Sequence, residues 1–112
     1  MRLYLGLNAS IIENKGVLKF DILINELNQN ESFKFVIDDV LVKKYKLSGH
    51  FREVFELNKT NYNFNWIYKR RNTTKINNSI EIKWILIENT KSGVSTKCIE
   101  CEAVIFDEAR VQ

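Results

Sequence analysis

Four basic residues, Lys69, Arg70, Arg71 and Lys75, follow a run of rings, Tyr62, Phe64, Trp66 and Tyr68, set two residues apart. Exposed rings that stack bases, beside cations that hold phosphates, are how a β-surface grips a single-stranded nucleic acid. Tyr68, Lys69, Arg70, Arg71 and Lys75 are therefore the candidate contacts for a nucleic acid or a protein partner. The competing reading puts the rings in the core, because four of them left in water would form an unusually extensive apolar patch. Burial is the preferred reading. A second basic group stands upstream at Lys43, Lys44 and Lys46. Glu100, Glu102, Asp107 and Glu108 are an acidic counterpart near the other end, and charge of this kind suits contacts between subunits as readily as a phosphate track.

Three other constellations have residue types that could do chemistry. Cys98 and Cys101 form a C-x-x-C, but a tetrahedral zinc site needs four ligands, and the chain has two cysteines and one histidine. A redox role needs the pair at a helix N-terminus, whereas here it lies in a strand pattern. The two cysteines are read as structurally idle. His50 is the single histidine, and Ser48-Gly49-His50 reads as turn chemistry with no nucleophile elbow around it. Glu81-x-Lys83, with Asp38 and Asp39 upstream, has the residue types of a metal-dependent nuclease. Alternation on any half-exposed strand produces Glu-x-Lys by default, so this pattern is weak. No catalytic, cofactor-binding or metal-ligating residue is assigned, and the expectation is a non-enzyme without a cofactor.

The elements that position these residues are strands. A two-residue step would scatter Tyr62, Phe64, Trp66 and Tyr68 around a helix but aligns them on one face of a strand. The same alternation places Leu3, Leu5 and Leu7 together, then Leu18, Phe20, Ile22 and Ile24, then Phe33, Phe35 and Ile37. Residues 8–15 read as a loop in which Ile11 and Ile12 need cover. Asp38-Asp39 marks a tight turn or bulge. Residues 40–47 alternate imperfectly, and a bulge near Lys43-Lys44 reconciles the two halves. Phe51, Val54 and Phe55 stand at i, i+3 and i+4, so residues 50–58 are read as either a short helix capped by Ser48 or a strand. Ile80, Ile82, Trp84 and Leu86 alternate with an opposite face that becomes apolar at Ile85 and Ile87, and this strand is expected to run through the core with Trp84 buried. A last long strand is read over 94–106.

Residues 1–112 therefore make one all-β domain of about eight strands. The short connections favour antiparallel pairing, in a sandwich or an up-and-down barrel. A chain of 112 residues can hold a core without metal or disulfide staples. A net charge of +3, from 17 basic and 14 acidic residues, neither demands nor excludes a nucleic-acid partner. The first residues alternate too regularly for a signal peptide, and no apolar run approaches the ~20 residues of a membrane span. The expected setting is cytoplasmic, or within a virion, with no membrane and no small-molecule substrate evident. The expected function is a protein-protein interaction or structural assembly module: a phage-like particle component, or a small inhibitor protein. Its partner is another protein or a second copy. The alternative is a single-stranded nucleic-acid-binding domain built on residues 62–75.

Overall fold

The computed structural model describes residues 2–25, 27, 31–70, 80–91, 96–97 and 104–106. Seven long strands lie in this part of the chain: β1 (Arg2–Ser10), β2 (Gly16–Ile24), β3 (Glu31–Ile37), β4 (Val40–Tyr45), β5 (Gly49–Leu57), β6 (Asn61–Arg70) and β7 (Ile80–Glu88). Two short segments, β8 (Thr96–Lys97) and β9 (Val104–Phe106), pair with the two ends of β7. All pairings are antiparallel and build two sheets, one ordered β1-β6-β3-β4 and one centred on β5-β2-β7. The two sheets face each other as a β-sandwich. Among the long strands only β3 and β4 are neighbours in both sequence and sheet, which decides against an up-and-down barrel.

The alternating apolar residues become the two inner faces. From β6, Tyr62, Phe64, Trp66 and Tyr68 are all buried, as are Phe33 and Phe35 of β3. They meet Leu18, Phe20, Ile22 and Ile24 of β2. Rings carry the contact between the sheets: Phe20 stands edge-on to Trp66 at 5.3 Å and to Phe35 at 4.8 Å, the arrangement aromatic quadrupoles favour.

Several readings of the sequence are decided or corrected. Of the two readings of residues 50–58, helix or strand, the strand holds: β5 (Gly49–Leu57) pairs with β2 from Gly16↔Leu57 to Ile24↔Gly49. The stretch read as a loop from residue 8 is strand as far as Ser10. Ile11 finds its cover in the core, while Ile12 begins a short 3-10 turn and remains exposed. The irregularity in β4 is one residue earlier than expected. Lys43 pairs with Phe35 and Leu41 with Val36, leaving Val42 as the extra residue. Trp84 is not in the core. In β7, Trp84 pairs with Asp21 and Ile82 with Ile22, so Lys83 is extra and the side-chain parity reverses there. Ile80, Ile82, Ile85 and Ile87 point inward, and Trp84 turns out to 37% exposure. Of the strand read over 94–106, β8 and β9 are described; Cys98 and Cys101 lie outside the described residues.

Asp38 and Asp39 form the tight turn that their sequence suggests. Both have positive φ, at 49° and 65°, and they join Ile37 to Val40 as a two-residue hairpin. Their side chains differ in use. The Asp38 carboxylate accepts from Lys59 Nζ at 2.6 Å and from the Asn63 backbone N–H at 2.8 Å, tying the hairpin to β6. The hydrogen bond from Lys59, then the one from Asn63, hold its carboxyl below the usual carboxylate range. A depressed folded-state pKa means this support is present at neutral pH and lost as the pH falls through that lowered value. Asp39 is exposed at the tip of the hairpin. Asp39→Gly is expected to stabilise the fold by about 0.5–1 kcal/mol, because glycine adopts positive φ without steric cost. Asp38→Gly is expected to destabilise it, and urea titration of the two variants gives the opposite signs directly.

Candidate interaction surface

β4 is an edge strand, and what surrounds it is uneven. One side pairs with β3 through Phe33↔Tyr45, Lys34↔Lys44 and Phe35↔Lys43. Tyr45 turns inward between the sheets, its ring 5.6 Å from Phe33 and 5.1 Å from Phe51. Its hydroxyl donates to Glu53 Oε2 at 2.7 Å, and Lys43 Nζ approaches the same oxygen at 3.8 Å. These contacts fasten the end of β4 to β5.

The rest of β4 is uncovered. Val40 is 65% exposed, Leu41 52%, Val42 39% and, just past the strand, Leu47 74%. Scattered exposed aliphatics are ordinary on a protein surface. Four within eight residues, on the open edge of a sheet, make a strip. Lys43, Lys44 and Lys46 stand in the same stretch, which contains no acid. Lys43 shares Glu53, whereas Lys44 and Lys46 have no ion-pair partner among the described residues. The bulge at Val42 reverses side-chain parity within β4, so Val40 and Leu41 do not continue the alternation set by Tyr45. Backbone donors and acceptors along the outer side of an edge strand are also left without a neighbouring strand.

The expected site on β6 is arranged differently. Tyr68 is buried, with its hydroxyl donating to Glu31, so its ring is closed to a base. Lys69 is exposed near the end of β6, opposite Arg2 and Ser32. Arg70 ends the strand opposite Glu31. Arg71 and Lys75 lie outside the described residues, as do Glu100, Glu102, Asp107 and Glu108. The structure thus separates the rings of this strand, which face the core, from Lys69, which faces water.

A second cluster lies on the outer face of the other sheet. Asp21 points away from the core yet is buried to 4% exposure. Its Oδ1 shares a hydrogen bond of 2.5 Å with Nε2 of His50, and Arg52 Nε stands 3.8 Å from its Oδ2. The register sets Arg52 on one side of Asp21 and Trp84 on the other. His50 is therefore an exposed residue, as its sequence suggests, but it stands in a strand and is held by a carboxylate instead of lying in a turn. An aspartate in the middle of the apolar run Phe20-Asp21-Ile22 was the available signal, since aspartate disfavours strands. Around this cluster the charges alternate, with Lys19 paired to Glu88 at 3.4 Å and Lys83 paired to Glu81 at 3.4 Å. Cations that are already neutralised make a poor phosphate track. The nuclease-like residues are divided in the same way. Glu81 is engaged by Lys83 on one sheet, and Asp38 by Lys59 on the other. Among the described residues no three His, Cys, Asp or Glu side chains converge as metal ligands.

An open depression of about 320 Å³ lies between β1 and β6, lined by Asn8, Ala9, Ser10, Asn61, Tyr62 and Asn63. Its lining carries no ionisable group except the Tyr62 phenol, whose oxygen is occupied by the backbone N–H groups of Asn58 and Lys59. No helix among the described residues is long and apolar enough to cross a membrane. No family model matches the chain, and no curated protein or solved structure matches it at a significant level.

Proposed function

We propose that this β-sandwich is a non-enzymatic protein-interaction module that engages a partner along β4 and the turn after it. The observation that carries the reading is the apolar strip of Val40, Leu41, Val42 and Leu47 beside Lys44 and Lys46, which have no ion-pair partner among the described residues. Covering one such aliphatic side chain contributes about 1.5–3 kcal/mol before the costs of association are met. A strip rimmed by cations is the usual anatomy of an interface: an apolar centre with a charged, solvated margin. The nucleic-acid alternative draws no comparable support, because the rings of β6 that would stack bases are buried.

The test is a double variant whose folding is undisturbed. Leu41→Asp/Leu47→Asp changes only exposed positions and is expected to leave stability within about ±0.5 kcal/mol. Cross-linking and affinity capture from lysate, with and without nuclease, should recover a defined protein with the native chain and lose it with the variant. A partner retained by the variant would place the interface elsewhere. Nuclease-sensitive capture, together with salt-labile binding of labelled single-stranded DNA or RNA, would favour the nucleic-acid reading instead. A discrete oligomer of the native chain alone, dissolved by the same variant, would make the partner a second copy.

A further inference from the structure

We propose that β4 takes an extended acidic segment of its partner as an added strand, an inference that rests on the interaction reading above. An open sheet edge offers outward backbone N–H and C=O groups at alternate residues, which an incoming strand satisfies by main-chain pairing. β4 is such an edge, since among the described residues β3 is its sole strand neighbour in the sheet. Main-chain pairing gives affinity with little selectivity, so the side chains must choose the partner. Here they do so by charge. Residues 40–47 hold three lysines and no acid, and two of those lysines have no counter-charge among the described residues.

The same charges argue against a second copy as the occupant. Antiparallel pairing of β4 with itself places Lys43 and Lys44 of both copies in one short ribbon, where like charges on neighbouring strands repel. Edge lysines and a bulge are the devices by which sheets avoid pairing with themselves. At β4 they discourage self-association and leave a lysine-rich edge that an acidic strand relieves. Lys44 lies in β4 and Lys46 directly follows its last residue, Tyr45, so the two stand two positions apart, the repeat of a face in an extended chain. The complementary segment therefore carries carboxylates two residues apart, with aliphatic residues between them to lie near Val40, Leu41 and Leu47. Such a segment is strongly charged and extended before it binds, so it pays its ordering cost on docking.

The experiment uses the whole chain and two fluorescein-labelled, end-capped peptides, one alternating Glu with Val and the other alternating Lys with Val. Anisotropy titration should show the Glu peptide binding, with affinity falling as salt rises, and the Lys peptide binding about tenfold more weakly or worse. Lys44→Glu/Lys46→Glu should reverse that preference. Hydrogen exchange of the native chain with the Glu peptide should show new protection confined to amides of residues 40–47. Equal binding of both peptides, or protection elsewhere, overturns the inference. If neither peptide binds while a protein partner is still captured and lost with Leu41→Asp/Leu47→Asp, the added-strand inference fails and the interaction reading survives. If that capture is also indifferent to the variant, both fail.

Discussion

Replacing Trp66 by alanine is expected to cost about 3–5 kcal/mol, the range for removing a large ring from a closed core. Trp66 is fully buried on an inner strand of its sheet, between β1 and β3. It touches Phe20 across the sandwich at 5.3 Å and Phe35 beside it at 4.9 Å. Truncation opens a cavity where aromatic rings of both sheets meet, and its rigid aromatic neighbours collapse poorly. Trp66→Phe should behave differently. The indole Nε1 finds no acceptor among the described residues, and a buried donor left unpaired costs about 1–3 kcal/mol. Phenylalanine removes that donor while keeping most of the ring, so the two effects offset and the net loss is expected to be about 0–2 kcal/mol. Urea unfolding separates the variants.

Fluorescence checks the same geometry independently. Trp84 is partly exposed, so iodide should quench one tryptophan population and spare the other. In Trp66→Phe the protected, blue-shifted component disappears. If the two tryptophans quench alike, the parity reversal in β7 is absent in solution.

That reversal shows what could be read from the sequence and what could not. Side-chain alternation is local, so the inward faces of β2, β3 and β6 were legible in the residues, rings included. Trp84 was misplaced because a bulge is fixed by the partner strand: the extra Lys83 exists only in the register of β7 against β2. The strand at 49–57 was obscured by a charge on the inside. Phe51, Phe55 and Leu57 share a face with Glu53, and that alternation looks broken until Tyr45 is seen to receive the carboxylate. The candidate surface was half visible. Lys43, Lys44 and Lys46 stood out as a basic group, but the exposure of Val40, Leu41 and Leu47 follows from β4 being at an edge. Strand order depends on contacts between residues far apart in the chain, and no local pattern encodes it. The Asp21–His50 pair is hidden for the same reason, since its members are 29 positions apart and meet only through the β2–β5 register.

Tyr45 should make the fold sensitive to alkali. Its ring is buried and its hydroxyl donates to Glu53. Burial first, then the hydrogen bond to Glu53 and that carboxylate's charge, push the phenol far above the usual tyrosine range. In the unfolded chain the same phenol ionises near ~10. The folded-state value is raised, so the stability it contributes is whole below ~10 and is lost as the pH rises above it, when only the unfolded chain releases the proton. One proton corresponds to a slope of about 1.4 kcal/mol per pH unit, or about 2.7 kcal/mol by pH ~12. Tyr45→Phe removes this proton. At neutral pH the variant should be less stable by about 1.5–3 kcal/mol, because a carboxylate facing the core loses its donor. Above pH ~10 the gap should close by about 1.4 kcal/mol per unit, as the native chain loses stability that the variant never had. Urea midpoints for both chains across this range give the difference free of the other titrating groups, which the two share. Curves that stay parallel above pH ~10 would mean that Tyr45 ionises as freely folded as unfolded. The clasp between β4 and β5, which leaves the outer edge of β4 as the open side of that strand, would then not hold in solution.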